Sequence, residues 1–159
     1  MSPLLVQSCS KSKQEPDKPV QALDLYSGFF YNIIKKAKRE GEIRSDIDIC
    51  ILSAEHGLID SDTEIEWYDR RMDSKRAKEL APKVKAEFKR RVEEEYELVI
   101  INAGEAYRKA LTGVEDTVNA DVHYIEGDGI GYKGHALKRI IRGDFEPLTN
   151  GSTPTMETQ

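Results

Sequence analysis

"LLVQSCSKSK", residues 4–13, is an apolar run that breaks off into Ser8, Cys9 and Ser10 and then two lysines, Lys11 and Lys13. A short apolar run bounded in this way reads as a strand buried on both faces. Three later segments repeat the pattern: "IDICIL" (47–52), "ELVIIN" (97–102) and "DVHYI" (121–125). Between them the period changes from strand to helix. In 26–40, Phe29, Phe30, Ile33, Ile34 and Ala37 fall on one stripe. In 73–96, Ala77, Leu80, Ala81, Val84, Phe88 and Val92 do the same, with Pro82 inside, which predicts a kinked helix or two pieces, the second starting near the proline. Shorter helical segments are expected over 105–111 and 134–141.

Strands alternating with helices, each strand apolar on both faces, require a sheet covered on both sides. The expected fold is α/β, a Rossmann-like three-layer sandwich with a mainly parallel sheet of about four strands. With 159 residues the chain holds one domain, placed at 1–146, followed by a polar tail, 147–159, expected to be disordered. A composition of 38% hydrophobic and 33% charged residues is that of a soluble globular chain, and no apolar run is long enough to span a bilayer. The N-terminus lacks the sequence of regions that makes a signal peptide, so a cytoplasmic location is expected. The two cysteines, Cys9 and Cys50, form neither a disulfide framework nor a metal-ligand spacing, and reduced thiols are expected.

A net charge of −5 argues against broad affinity for a nucleic-acid backbone but leaves room for a local basic site. Blocks such as Lys35, Lys36, Lys38 and Arg39, or Lys89, Arg90 and Arg91, read as solvated helix faces. The strand ends are more informative. In open parallel sheets, ligands sit beyond the carboxyl ends of the strands. Here those ends carry Cys9, Ser10 and Lys13; Ser53, Glu55 and His56; Asn102, Gly104 and Tyr107; and the glycine-rich "GDGIGYKG" (127–134) with Gly129 and Lys133. Any one loop is explained by turn chemistry; the four together point to a ligand site at this edge.

Cys9 suits either a nucleophile, activated by neighbouring lysines, or a small packing residue. A zinc site from Cys9 and His56 would lack a third protein ligand, and no metal is expected. The segment 127–134 matches neither the phosphate-loop nor the dinucleotide fingerprint, although its glycines would let a phosphate or base edge approach the backbone. Tyr26, Trp67, Tyr68 and Tyr107 lie in or beside these loops, where they either stack on a planar ligand or pack beneath the loops.

As a set, "CSKSK", "LDLYSG" (23–28), "LSAEHGLID" (52–60), "WYD" (67–69), "NAGEAY" (102–107) and "GIGYKGHALK" (129–138) resemble a family of small bacterial, archaeal and phage proteins known mainly as a domain of unknown function. The likeness spans roughly residues 4–142. The loop after the first strand and the Ser/His element are also similar to the core domain of archaeosine synthases. That similarity implies Cys9, Ser10, Lys13, Ser53 and His56 as site positions. Gln14 and Glu15 stand where those enzymes carry Pro-Tyr, so what it implies is a pocket for a modified base or nucleotide rather than lysine transfer.

The expected function is an enzyme acting on a nucleobase, nucleotide or nucleic acid at an N-glycosidic bond, without a cofactor. Asp24 and Glu55 are the candidate carboxylates for an oxocarbenium-like sugar or a water, and His56 is the candidate donor to the leaving base. Lys13 and Lys133 would hold phosphate, and Tyr26 or Tyr107 would stack on the base. The rival expectations are a nucleotide-binding regulatory module without catalysis, and a phage or host interaction protein that uses the fold as scaffold.

Overall fold

The computed structural model describes residues 2–148 apart from Ser12, Glu94 and Asp128. The chain is mixed α/β. Its strands are β1 (Ser2–Ser8), β2 (Val20–Gln21), β3 (Asp48–Ser53), β4 (Gly57–Asp60), β5 (Glu64–Ile65), β6 (Tyr96–Asn102) and β7 (Asp121–Tyr124). Its helices are α1 (Ala22–Leu25), α2 (Phe29–Arg39), α3 (Ser74–Val92), α4 (Glu105–Ala110) and α5 (Gly129–Ile141). Five strands form the main sheet in the order β4-β3-β1-β6-β7, and β2 pairs with β5 in a separate two-stranded ribbon.

β1 lies at the centre, parallel to β3 and β6, with Val6 opposite Cys50 on one side and Ile101 on the other. β6 and β7 are also parallel, whereas β4 turns back antiparallel on β3. The alternation within each strand divides the core in two. Leu5, Ile51 and Ile100 face a layer with Tyr31, Ile34 and Ala37 of α2 and Leu137, Ile140 and Ile141 of α5. Leu4, Val6, Cys50, Leu52, Val99 and Ile101 face Leu80, Val84, Phe88 and Val92 of α3. Each fully buried aliphatic side chain contributes about 1.5–3 kcal/mol relative to exposure, which is why the central strands carry almost no polar residues.

Three features differ from the sequence reading. The sheet has five strands rather than about four, because 57–60 returns as β4 after a turn at Ala54–His56, with Gly57 at φ +79°. Of the two alternatives for α3, two pieces are overturned: one helix runs through Pro82, which sits on the exposed side, where water can take the carbonyl that the missing N–H would have bonded. Asp73 caps this helix, its carboxylate accepting from the Arg76 amide at 2.8 Å. α5 starts at Gly129 rather than near 134, absorbing the glycines of 129–134 into its first turns. Most of the expected tail, 149–159, lies outside the described residues, but Leu148 is buried in the core.

Candidate functional site

From β1 the chain moves to β3 on one side and later to β6 on the other, so the strand order reverses at the carboxyl ends of β1 and β6. This is where a crevice is expected in an open parallel sheet. Cys9 follows β1 and Tyr107 lies in α4 just after β6; the thiol Sγ and the phenol oxygen are 2.9 Å apart. The Cys9 amide donates to the Leu52 carbonyl at 2.9 Å, and the Ala54 amide donates to Sγ at 3.4 Å, so the thiol is held between the end of β3 and Tyr107 of α4. Burial, with the thiol beside it, pushes the Tyr107 phenol well above the usual range and keeps it protonated.

The end of β3 is organised by Ser53. Its side chain is fully buried, and its Oγ accepts the amides of Glu55 at 3.1 Å and His56 at 3.0 Å, which folds 53–56 into a tight turn. The same oxygen meets the Tyr68 hydroxyl at 3.0 Å and receives that of Tyr26 at 3.3 Å, while the two phenols are 2.6 Å apart. Burial raises both phenols far above their ordinary values, so all three hydroxyls remain neutral. Arg76 braces the turn from outside, donating to the carbonyls of Ala54 at 2.7 Å and Glu55 at 3.0 Å, and Lys83 donates to that of His56 at 3.0 Å.

In front of Cys9 lies a cleft of about 480 Å³. Cys9, Ser10, Lys11 and Lys13 form one wall; Asp69, Arg70, Arg71 and Met72, from the segment between β5 and α3, form the other, with Tyr107 beside them. The Lys13 ammonium lies 4.8 Å from the centre of the Tyr68 ring. Arg70 reaches Glu55 and Glu79, each at 3.6 Å. Four cations against Asp69 make the cleft locally positive on a chain that is negative overall. A larger volume, about 740 Å³, lies by Glu93, Glu95, Glu97 and Asp121, but it is acidic and sits at the opposite end of the strands.

Cys9, Ser10, Lys13 and Tyr107 thus come together in the cleft. Ser53 and Tyr26 lie behind it, joined to it through Tyr68. His56 is at the rim, its ring edge-on to Tyr68 at 5.6 Å, with its pKa lowered mainly by burial. Glu55 is at the rim through Arg70. Gly104 caps α4, close beneath the Tyr107 ring. Tyr26 is fully buried and presents no face for stacking, contrary to expectation. Asn102 is 3% exposed and donates its amide to Gln7 Oε1 at 2.9 Å, tying β6 to β1 instead of facing the cleft. Asp24 is on the exposed side of α1, near enough to Lys35 to act on its charge. Gly129 and Lys133 are in the first turns of α5, outside the lining of the cleft.

The sequence reading missed the second wall. Residues 66–73, "EWYDRRMD", place a Trp, a Tyr, three acids and two arginines in a stretch with no strand or helix period. That density of chemistry in an irregular loop is the signal that could have found it.

Fold and cleft together define an α/β protein whose strand-end loops gather a thiol, phenols and cations at one edge of a mostly parallel sheet. The chain belongs to a family of unknown function, DUF6884, whose sequence model matches residues 4–139. Among solved structures it is similar to the crystal structure of AF0587, a protein of unknown function, with a TM-score of 0.55 and 16% identity. The match covers 89% of this chain and 44% of that one, so this chain spans less than half of its neighbour's length, and the likeness is one of fold. No curated protein matches. Among the described residues, no helix is long and apolar enough to cross a membrane, and no group of acidic, His and Cys side chains is placed to hold a metal ion.

Proposed function

We propose that the protein is an enzyme acting on a nucleobase, nucleotide or nucleic acid at an N-glycosidic bond, in the cytoplasm, on a Rossmann-like three-layer scaffold. The observation that carries the reading is the positive cleft at the carboxyl ends of β1 and β6, with Cys9, Asp69 and Tyr107 in its lining. Its volume falls in the range of small-ligand sites. Lys11, Lys13 and Arg71 attract phosphate, and Tyr107 offers a ring to the base. Asp69 lines the cleft and takes the carboxylate role expected of Asp24. It stabilises positive charge at the sugar as the bond to the base breaks, and water supplies the hydroxyl that C1′ gains. His56, neutral at pH 7 because burial lowers its pKa, has one ring N–H to donate to the departing base. The similarity of the Cys9–Lys13 loop and the Ser53–His56 turn to archaeosine synthases supports a base-binding pocket.

The test is release of free base from DNA, tRNA and nucleotides. Asp69→Asn and His56→Ala should each lower turnover by about 100-fold, the scale of losing a positioned acid or base, with little change in affinity. A second reading, nucleotide binding without catalysis, is favoured by one observation: Glu55 is engaged by Arg70, which leaves Asp69 as the carboxylate lining the cleft. Nucleotide binding with no base released from any substrate would select it.

A further inference from the structure

The exposed large apolar side chains among the described residues are Phe29, Trp67, Ile130 and Tyr132. They are not scattered. Phe29 opens α2, the helix whose far end leads into the start of β3, Ile130 and Tyr132 lie in the first turns of α5 after β7, and Trp67 precedes Tyr68, which bonds Ser53 at the end of β3. All four therefore stand at the carboxyl edge, the edge that holds the positive cleft. Two of the rings are seated on glycines. A Cβ on Gly134 would lie 2.4 Å from the Phe29 ring, and one on Gly127 would lie 2.0 Å from the Tyr132 ring. Gly127 and Gly134 thus let exposed rings approach the backbone more closely than any other residue would allow, which limits their rotation.

Fixed exposed rings beside a cationic groove are the elements that bind single-stranded nucleic acid: each unpaired base stacks on a ring, and the cations track the phosphates. From this juxtaposition we infer that the ligand of the carboxyl edge is a single-stranded polynucleotide, whose backbone enters the cleft at Lys11, Lys13 and Arg71 while flanking bases stack on Phe29, Tyr132 and Trp67. The inference rests on the nucleotide reading of the cleft and narrows it from a free nucleotide to a strand. A duplex keeps its bases stacked and offers these rings no face.

The experiment is fluorescence anisotropy on the full chain with labelled single-stranded DNA and RNA of roughly 12 nucleotides, within the site sizes of such platforms. The same strands as duplexes, and AMP and dTMP as competitors, are run alongside. The single strand should bind at least tenfold more tightly than duplex or mononucleotide. Three neutralised phosphates predict a slope of about −2 for log affinity against log salt. Phe29→Ala, Tyr132→Ala and Trp67→Ala should each weaken strand binding by roughly 5- to 100-fold, the scale of one lost stack, and leave mononucleotide binding within about twofold. Melting temperatures identify any variant that fails to fold, and Trp67→Ala, outside any helix, remains informative if Phe29→Ala does fail. Equal affinity for strand and mononucleotide, or ring variants that bind the strand like the parent, overturns the inference and leaves the nucleotide reading in place. No binding of strand or nucleotide removes both readings, and strand binding without base release keeps the platform while removing catalysis.

Discussion

Ser53→Ala removes the one atom on which the end of β3 is organised. Ser53 Oγ takes two backbone amides, at 3.1 and 3.0 Å, and contacts two phenols, at 3.0 and 3.3 Å, in a residue with no solvent exposure. Tyr26 and Tyr68 keep each other at 2.6 Å after the substitution, so most of the loss falls on the amides of Glu55 and His56. A buried donor left without a partner costs about 1–3 kcal/mol. Glu55 and His56 are half-buried and water can reach them in part, so the lower part of that range applies to each, for a total of about 2–3 kcal/mol. For a chain of this size the melting temperature should fall by roughly 4–12 °C. Urea unfolding of the two proteins, compared at equal slope, measures the loss directly. A change below about 0.5 kcal/mol, the ordinary scale of a surface substitution, would show that the turn does not depend on this oxygen.

Gly134→Ala should destabilise the protein by about 1–3 kcal/mol, because its methyl would enter the Phe29 ring, outweighing the gain in helix propensity. Adding Phe29→Ala should recover most of that loss, and a double-mutant cycle showing no coupling would refute the seating of the ring. Ellman's reagent should titrate a single thiol in the folded protein, Cys9 through the cleft, and both after denaturation. Cys50 is fully buried, with a pKa pushed up to about 12, and its modification at the rate of Cys9 would contradict the packing of β3. His56 gives a pH dependence whose sign follows from burial: its folded pKa is lowered, so the unfolded chain takes up a proton that the folded chain resists. Its contribution is whole above the usual value of about 6.5 and is lost as pH falls through the lowered one. Between about pH 7.5 and 5.5 the parent's melting temperature should fall more steeply than that of His56→Gln, and parallel slopes would show that the ring is not buried as described.

The parallel core was legible because β1, β3 and β6 are apolar on both faces, and runs such as 97–102 have no other stable place than the middle of a covered sheet. β4 was not. It has four residues, follows a three-residue turn, and its sequence reads equally well as the rest of a strand-end loop. The β2–β5 ribbon, two residue pairs long, leaves no periodic trace. Glycine-rich 129–133 argued against a helix by propensity, yet α5 includes it and is anchored further on, where Phe29 and Ile33 pack on Gly134. Position along a strand led to Cys9, Ser10, Lys13 and Tyr107, which share the lining of one cleft, because the carboxyl ends of parallel strands converge by construction. Direction within a strand is a different matter. Asn102 ends β6 as expected but pairs with Gln7 across the sheet, and Tyr26 turns inward to Ser53. Asp69, Arg70 and Arg71 lie far in sequence from the ends of the parallel strands and sit beside Tyr68, which anchors their segment to the hydroxyl cluster.

The most direct measurement is a crystal of the full chain soaked with a mixture of nucleoside monophosphates. Density should fill the cleft, with phosphate oxygens within hydrogen-bonding distance of Lys13 or Arg71, the sugar facing Asp69, and the base against Tyr107. A nucleotide bound instead at the amino-terminal edge, in the cavity by Arg44, Asp48 and Asp60, with the cleft left unfilled, would contradict the account.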